Sequence, residues 1–190
     1  MAVDTQGDWV LRAAATGDAD AWRKLIDRHS GRVYGLIYRQ CGDRELAEEI
    51  CQATFVRVLD KLDGYQEQGK LEAWLCRIAL NLLRDEMRRR KRQAAPTDFG
   101  ATPPEALGAT GREDGPSDRL EAAERAEQLR RAVATLPEAD RELLSLRYTA
   151  ELSYQQIAEM LGQPLGTVLA RGHRALKKLK AILDTAEQAA

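Results

Sequence analysis

Residues 153–182 read SYQQIAEMLGQPLGTVLARGHRALKKLKAI. Ser153 is placed to cap a short helix that turns Ile157, Ala158 and Leu161 inward. Gly162 suits the left-handed residue that closes such a helix. Residues 163–166 make a turn. A second helix then follows with Val168, Gly172, Ala175, Leu176 and Leu179 on its packed face. Thr167, Ala170, Arg171, Arg174 and Lys178 point outward from it. A capped short helix, a tight turn and a basic helix make a helix-turn-helix, whose second helix can lie in a major groove with its N-terminal residues at base edges.

Upstream, Leu120, Leu129, Val133 and Leu136 predict an amphipathic helix that Pro137 closes while opening the next one. That next helix carries Leu143, Leu144, Leu146 and Tyr148. Before these comes a stretch, 93–118, with four of the six prolines, four glycines and a net charge of −4. It has no helical period and too little apolar surface to order itself, so it reads as a flexible acidic linker.

A second basic helix lies on the other side of the linker. Residues 71–92, LEAWLCRIALNLLRDEMRRRKR, place Leu71, Trp74, Leu75, Ile78 and Leu82 on one stripe. Arg77, Asn81, Arg84 and Arg88 follow the same rhythm on another face. Cations in a last turn suit the helix dipole, but the run 88–92 repels itself unless anions balance it, which points to phosphate. The chain thus offers nucleic acid two separated contacts, where an autonomous helix-turn-helix regulator needs one. Such a regulator explains 153–182 but leaves the first half without a role.

The rest of the first half is also helical in period. Asp8 is a candidate cap for a short helix with Val10, Leu11 and Ala14, ended by Gly17. Ala21, Leu25 and Ile26 begin a longer helix that continues past Val33, Leu36 and Ile37 to a break at Gly42-Asp43. Asp43 is placed to cap a helix with Leu46, Ile50, Phe55, Val58 and Leu62 on one broad face. Gly64 and Gly69 bracket a loop. No stretch alternates with the period of a strand. The expected fold is all-α: two small helical domains, 8–92 and 119–184, joined by the linker 93–118.

Composition excludes several classes. Net charge is −1 over 190 residues, so the chain is no polycation, and its basic residues gather at helix ends instead. No apolar run approaches the roughly 20 residues of a membrane span. Cys41, Cys51 and Cys76 lack the spacing of a zinc site. Without a signal peptide they read as reduced, packed thiols of a cytoplasmic protein. His29 and His173 are isolated and read as surface or helix-face residues. The sequence has no phosphate-cradling loop, nucleophile motif or histidine metal motif, so no enzyme, metal or cofactor is expected.

Five stretches carry a specific resemblance: GDADAWRKLIDRH, AEEICQATFVRVLDKL, LEAWLCRIALNLLRDEMRRRKR, LPEADRELLSLRY and LSYQQIAEMLGQPLGTVLARGHRALKKL. In these the chain resembles bacterial sigma factors of the extracytoplasmic-function group, a branch of the sigma-70 family. The resemblance implies a sigma-2 and a sigma-4 domain, docking on core RNA polymerase at the largest-subunit coiled coil and the flap, and reading of −10 and −35 promoter DNA. It also implies control by an anti-sigma factor. Glu48, Glu49 and Gln52 match the family's segment for the coiled coil. Tyr65 and Lys70 belong to the segment that traps a flipped −10 base. Arg77, Asn81, Arg84, Asp85 and Arg88 match the −10-reading helix, and Thr167, Arg171, Arg174 and Lys178 the −35-reading helix. The chain departs from the family pattern at Ala53, at Leu169-Ala170, and at Gly172, where a large apolar residue is usual and where a mid-helix glycine costs about 1 kcal/mol against alanine.

Overall fold

The computed structural model describes Leu11, residues 13–65, 70–93 and 116–188, and among these the regular structure is helical. The expected Asp8 cap and Val10, the loop 66–69 and linker residues 94–115 lie outside the described residues. Helix α1 spans Ala19–Cys41. The Asp18 carboxylate starts it, accepting from the N–H groups of Asp20 at 2.9 Å and Ala21 at 3.1 Å. Gly42, at φ +70, ends it and donates its N–H to the Tyr38 carbonyl at 2.8 Å. One residue on, Asp43 caps α2, Arg44–Leu59, through the Leu46 N–H at 3.1 Å. Both caps are local exchanges between a short carboxylate and orphan donors, and both breaks fall where the sequence places them.

Leu62 does not extend α2. It sits in a 3-10 turn, Leu62–Gly64, and is still buried. Helix α3, Leu71–Gln93, is buried more widely than one stripe requires. Ala73, Leu75, Cys76, Ile78, Ala79, Leu80 and Leu83 are buried, whereas Leu71, Trp74 and Leu82 of the predicted stripe are only half-buried. The physical reason is that α3 packs against α1 and α2 on one side and against a helix of the second half on another. Helices α1, α2 and α3 enclose a core in which Leu25, Val33, Leu36, Ile37, Val58 and Leu75 are fully buried.

In the second half, α4 spans Pro116–Ala134, so three positions assigned to the linker are helical, with proline at the first position. Leu129 is 44% exposed and Ala132 is buried instead. Helix α4 packs mainly on a single partner helix and buries only a narrow face. Leu136 lies beyond its end, buried with Leu144 and Ala175 in a small separate cluster. Helix α5 is Glu138–Tyr148, with Pro137 as its cap residue. Helix α6, Tyr154–Leu161, opens on a full capping box: the Ser153 hydroxyl accepts from the Gln156 N–H, and the Gln156 side chain accepts from the Ser153 N–H at 2.8 Å. Gly162, at φ +64, closes it. The turn is shorter than 163–166. The Pro164 carbonyl accepts from Thr167 and Val168, so Leu165 and Gly166 already belong to α7, Leu165–Gln188.

The two halves share one apolar cluster. Leu143, Leu146, Ala150, Leu152 and Ile157 of the second half join the core of the first, with α5 against α1 and α6 against α3.

Candidate nucleic-acid interfaces

On α3, Arg77, Asn81, Arg84, Asp85 and Arg88 are all exposed, on the face opposite the core, as their spacing requires. They are not idle there. Arg84 Nη2 donates to Glu142 Oε1 at 2.6 Å, and Arg77 Nη2 to the Glu159 carbonyl at 3.4 Å. Lys70 Nζ lies 2.7 Å from Glu159 Oε2, and this cation holds the Glu159 carboxyl below the usual range. Arg88 pairs with Asp85 at 3.3 Å. Tyr65 stacks on Trp74 with ring centroids 4.5 Å apart, so both aromatics cover the core at the start of α3.

The basic run is balanced from within, which corrects the expectation that an outside anion is needed throughout. Glu86 accepts from Arg89 at 2.6 Å and Arg90 at 2.9 Å, and these two hydrogen bonds hold its carboxyl down at about 2. Arg90 also reaches the Asp43 carboxylate at 3.3 Å, tying the end of α3 to the cap of α2. Lys91 and Arg92 form no ion pair with the described residues.

The second basic face differs. Thr167, Arg174 and Lys178 are exposed on α7 and Arg171 is half-buried beside the packed face. None of these three cations forms an ion pair among the described residues. Behind them Val168 and Ala175 are fully buried. Gly172 has a structural reason that the sequence only hinted at. A Cβ there would stand 2.9 Å from the Tyr154 ring. The Arg147 guanidinium also lies over that ring, 5.5 Å from its centroid. Arg147 itself donates to the Leu152 carbonyl at 3.2 Å. The glycine therefore lets α7 settle against α6.

On α2, Glu48, Glu49 and Gln52 are exposed together, continued by Val56, 63% exposed, and Leu59, 48% exposed. A shallow groove lined by Ser30, Gly31, Tyr34, Glu48, Cys51 and Gln52 runs beside them, between α1 and α2. This is an apolar patch with an acidic rim, the composition of a protein-docking surface.

His29 corrects its sequence reading. It is buried, with Nδ1 3.1 Å from Glu72 Oε2. Arg32 Nη1 reaches Glu72 Oε1 at 2.6 Å, and its Nη2 reaches Glu151 Oε2, in the loop before α6, at 2.7 Å. Burial opposes the Glu72 charge, but His29 and Arg32 outweigh it and hold the carboxyl below the usual range. Arg32, Glu142, Glu151 and Glu159 were not foreseen, since no spacing rule links residues 40 to 119 positions apart. Burial pushes all three thiols up, Cys76 to about 12, so they stay protonated at neutral pH, as packed thiols do. Cys76 is buried, whereas Cys41 and Cys51 are only half-buried. No helix among the described residues is long and apolar enough to cross a membrane.

Comparison with known proteins agrees with this division. The family model for sigma-70 region 2 matches residues 25–93, which contain α1 to α3 from Leu25 on. The model for sigma-70 region 4 matches residues 126–179, which contain the helix-turn-helix. Among relatives, the ECF RNA polymerase sigma factor SigE of Mycolicibacterium smegmatis is 36% identical, over 93% of this chain and 71% of its own. SigW of Bacillus subtilis is 32% identical, over 90% and 92%. Two solved structures share the fold: CnrH bound to the cytosolic domain of CnrY, at TM-score 0.63 with 24% identity over 93% of this chain and 96% of that one, and RpoE bound to the anti-sigma factor NepR from Bartonella quintana, at TM-score 0.71 with 21% identity over 87% and 98%. With both regions matched in order and relatives aligned along most of their length, the chain belongs to the extracytoplasmic-function group of the sigma-70 family of RNA polymerase sigma factors.

Proposed function

We propose that the chain joins core RNA polymerase in the cytoplasm and directs it to promoters whose −10 element is read by α3 and whose −35 element is read by α7. The observation that carries this reading is the pair of outward basic faces on two helical units that match two separate sigma regions. Arg171, Arg174 and Lys178 supply phosphate and guanine contacts, and Thr167 stands at the N-terminal turn that approaches base edges. Asn81, Arg84, Asp85 and Arg88, with Arg77, Lys70 and Tyr65, serve the −10 strand. Glu48, Glu49 and Gln52, with the exposed Val56 and Leu59, dock on the coiled coil of the largest polymerase subunit, where acids meet basic partner groups around an apolar centre. The sigma-4 unit contacts the flap. An anti-sigma factor controls the chain, in keeping with the complex that NepR forms with a protein of the same fold.

Abortive transcription tests this proposal. Purified core polymerase is given a promoter library with and without the chain. Initiation that depends on the chain, with enriched −35 and −10 sequences, is the expected result. DNA binding by the chain alone without initiation would replace the sigma reading with that of an autonomous regulator.

A further inference from the structure

Three rows of side chains line the outward side of α7. Thr167, Arg171, Arg174 and Lys178 recur at three- and four-residue steps and make a polar, cationic row. Gly166 and Ala170, one turn apart and exposed, make a second row that bears nothing larger than a methyl. Leu165 and Leu169, again one turn apart, make the third, across the small row from the cations. These two leucines are 42% and 44% exposed, and neither belongs to an apolar cluster of the molecule. The packed face of α7 does without them, since Val168, Ala175, Leu176 and Leu179 fill it. Gly166 is not demanded by packing either. A Cβ there would meet nothing within 4 Å, and its φ is not positive, whereas Gly172 makes room for the Tyr154 ring.

A lone exposed leucine is ordinary. Two in one row, beside unpaired cations at the start of a helix, put an apolar patch inside a surface built for phosphate. Residues 169 and 170 are also where the chain departs from the family pattern. What such a patch reads follows from the chemistry of the major groove. An isobutyl group neither donates nor accepts. Pressed against guanine or cytosine, it strips water from O6, N7 or N4 and returns no hydrogen bond, which is unfavourable. The thymine C5-methyl is the apolar group that a base pair presents in that groove. Attraction to the methyl and the cost at polar edges act in the same direction.

We propose that Leu169, with the Ala170 methyl beside it, determines specificity by packing on the C5-methyl of a thymine in the −35 element, while Arg174 and Lys178 hold the flanking phosphates. This rests on the assignment of the α7 face to the −35 duplex. The small row of Gly166 and Ala170 lets the helix approach closely enough for a side chain as short as leucine to reach a base edge. The chain then selects promoters by a methyl group, where a guanidinium at residue 169 would select guanine.

The test starts from the −35 sequence that core polymerase with the full chain enriches from a promoter library. Each −35 thymine, on either strand, is replaced in turn by deoxyuridine, which lacks only the C5-methyl. Loss of one such methyl should weaken promoter binding by the wild-type complex about fourfold, the worth of one buried methyl. Leu169→Ala should bind the thymine promoter as weakly as wild type binds the deoxyuridine one, with no further fall when the methyl is removed. At the same position, 5-methylcytosine should bind better than cytosine in wild type and no better in Leu169→Ala. Leu169→Arg should turn the enriched base there to guanine. Residue 169 is exposed, so these substitutions leave the α7 seat in place. An enriched −35 element without thymine, or wild-type binding that is blind to every deoxyuridine, would overturn the inference. So would a methyl effect that survives Leu169→Ala, since the leucine would then meet a protein or another base edge. The same replacements are made in duplexes that the chain alone retains. Methyl-dependent retention without initiation would count against the sigma reading and leave the reading of the methyl by Leu169 in place.

Discussion

Helices α3 and α7 carry the same kinds of cation in the same rhythm, yet one set is paired and the other is bare. Arg77, Arg84 and Lys70 meet acceptors of a different domain, and Arg88, Arg89 and Arg90 meet acids of their own helix. Arg171, Arg174 and Lys178 meet none among the described residues. The difference follows from position. Helix α3 lies in the middle of the molecule, packed on α1 and α2 and touched by α6, so its exposed flank has neighbours. Helix α7 packs one face on α4, α5 and α6 and turns the other to solvent. A basic residue is available to DNA only if nothing nearer has already taken its donors, and sequence spacing does not say what is near.

The seat of α7 is most easily lost at Gly172. Gly172→Val drives a branched side chain into the Tyr154 ring and should cost sigma-4 about 2–3 kcal/mol, seen by denaturant unfolding. Transcription from promoters that depend on the −35 element should fall with it, while those carried by the −10 element should fall less. One arginine on each helix separates the two faces. Arg174→Ala should weaken duplex binding by about tenfold and lower the salt slope by about one, in the free chain as well as with polymerase. Arg84→Ala should do so only with polymerase, because in the free chain Glu142 already holds that guanidinium. Equal effects of Arg84→Ala in both settings would erase the distinction between the faces.

Smaller effects test the supports. Ser153→Ala removes half of the capping box and should cost about 1 kcal/mol, measured as a shifted unfolding midpoint, by loosening α6 under both the seam between the two halves and the α7 seat. Acid should act on the paired face first. Glu72 and Glu159 have folded pKa values below the ordinary glutamate value, so the stability they contribute is present above pH ~4.3 and is lost as pH falls through the lower folded values. Scattering between pH 6 and pH 3 should show the two halves separating before the helices melt, and Glu72→Gln should flatten the pH dependence of stability over the same range. Helices that melt together with the opening would mean that the seam is not a separate unit of stability.

Much of the fold is legible in the order of the residues. The caps at Asp43, Ser153 and Gly162, the break at Gly17, the extent of α1 and α3 and the helix-turn-helix all rest on exchanges within four residues of chain. Such exchanges depend on residue type and local order alone. The outward direction of Arg77, Asn81, Arg84 and Arg88 follows from the helical period for the same reason. Less legible were quantities that need a neighbour. Leu129 reads as core but faces solvent because α4 has one main partner. Leu71, Trp74 and Leu82 read as the core stripe of α3 but are half-buried, whereas Ala73, Cys76, Ala79 and Leu80, off that stripe, are buried because the helix is contacted from two sides.

Periodicity and capping are one-dimensional properties, and they suffice for an all-helical chain of two units, a helix-turn-helix and two outward basic faces. Packing of distant segments is what buries His29 against Glu72, makes Gly172 the room for Tyr154, and brings Glu142, Glu151 and Glu159 to Arg84, Arg32 and Lys70. Those contacts join residues 18 to 119 positions apart. A charge pair across such a distance leaves no period in the sequence, and it forms only when an apolar seam, here closed by Gly35 and Thr149, brings the two surfaces within reach.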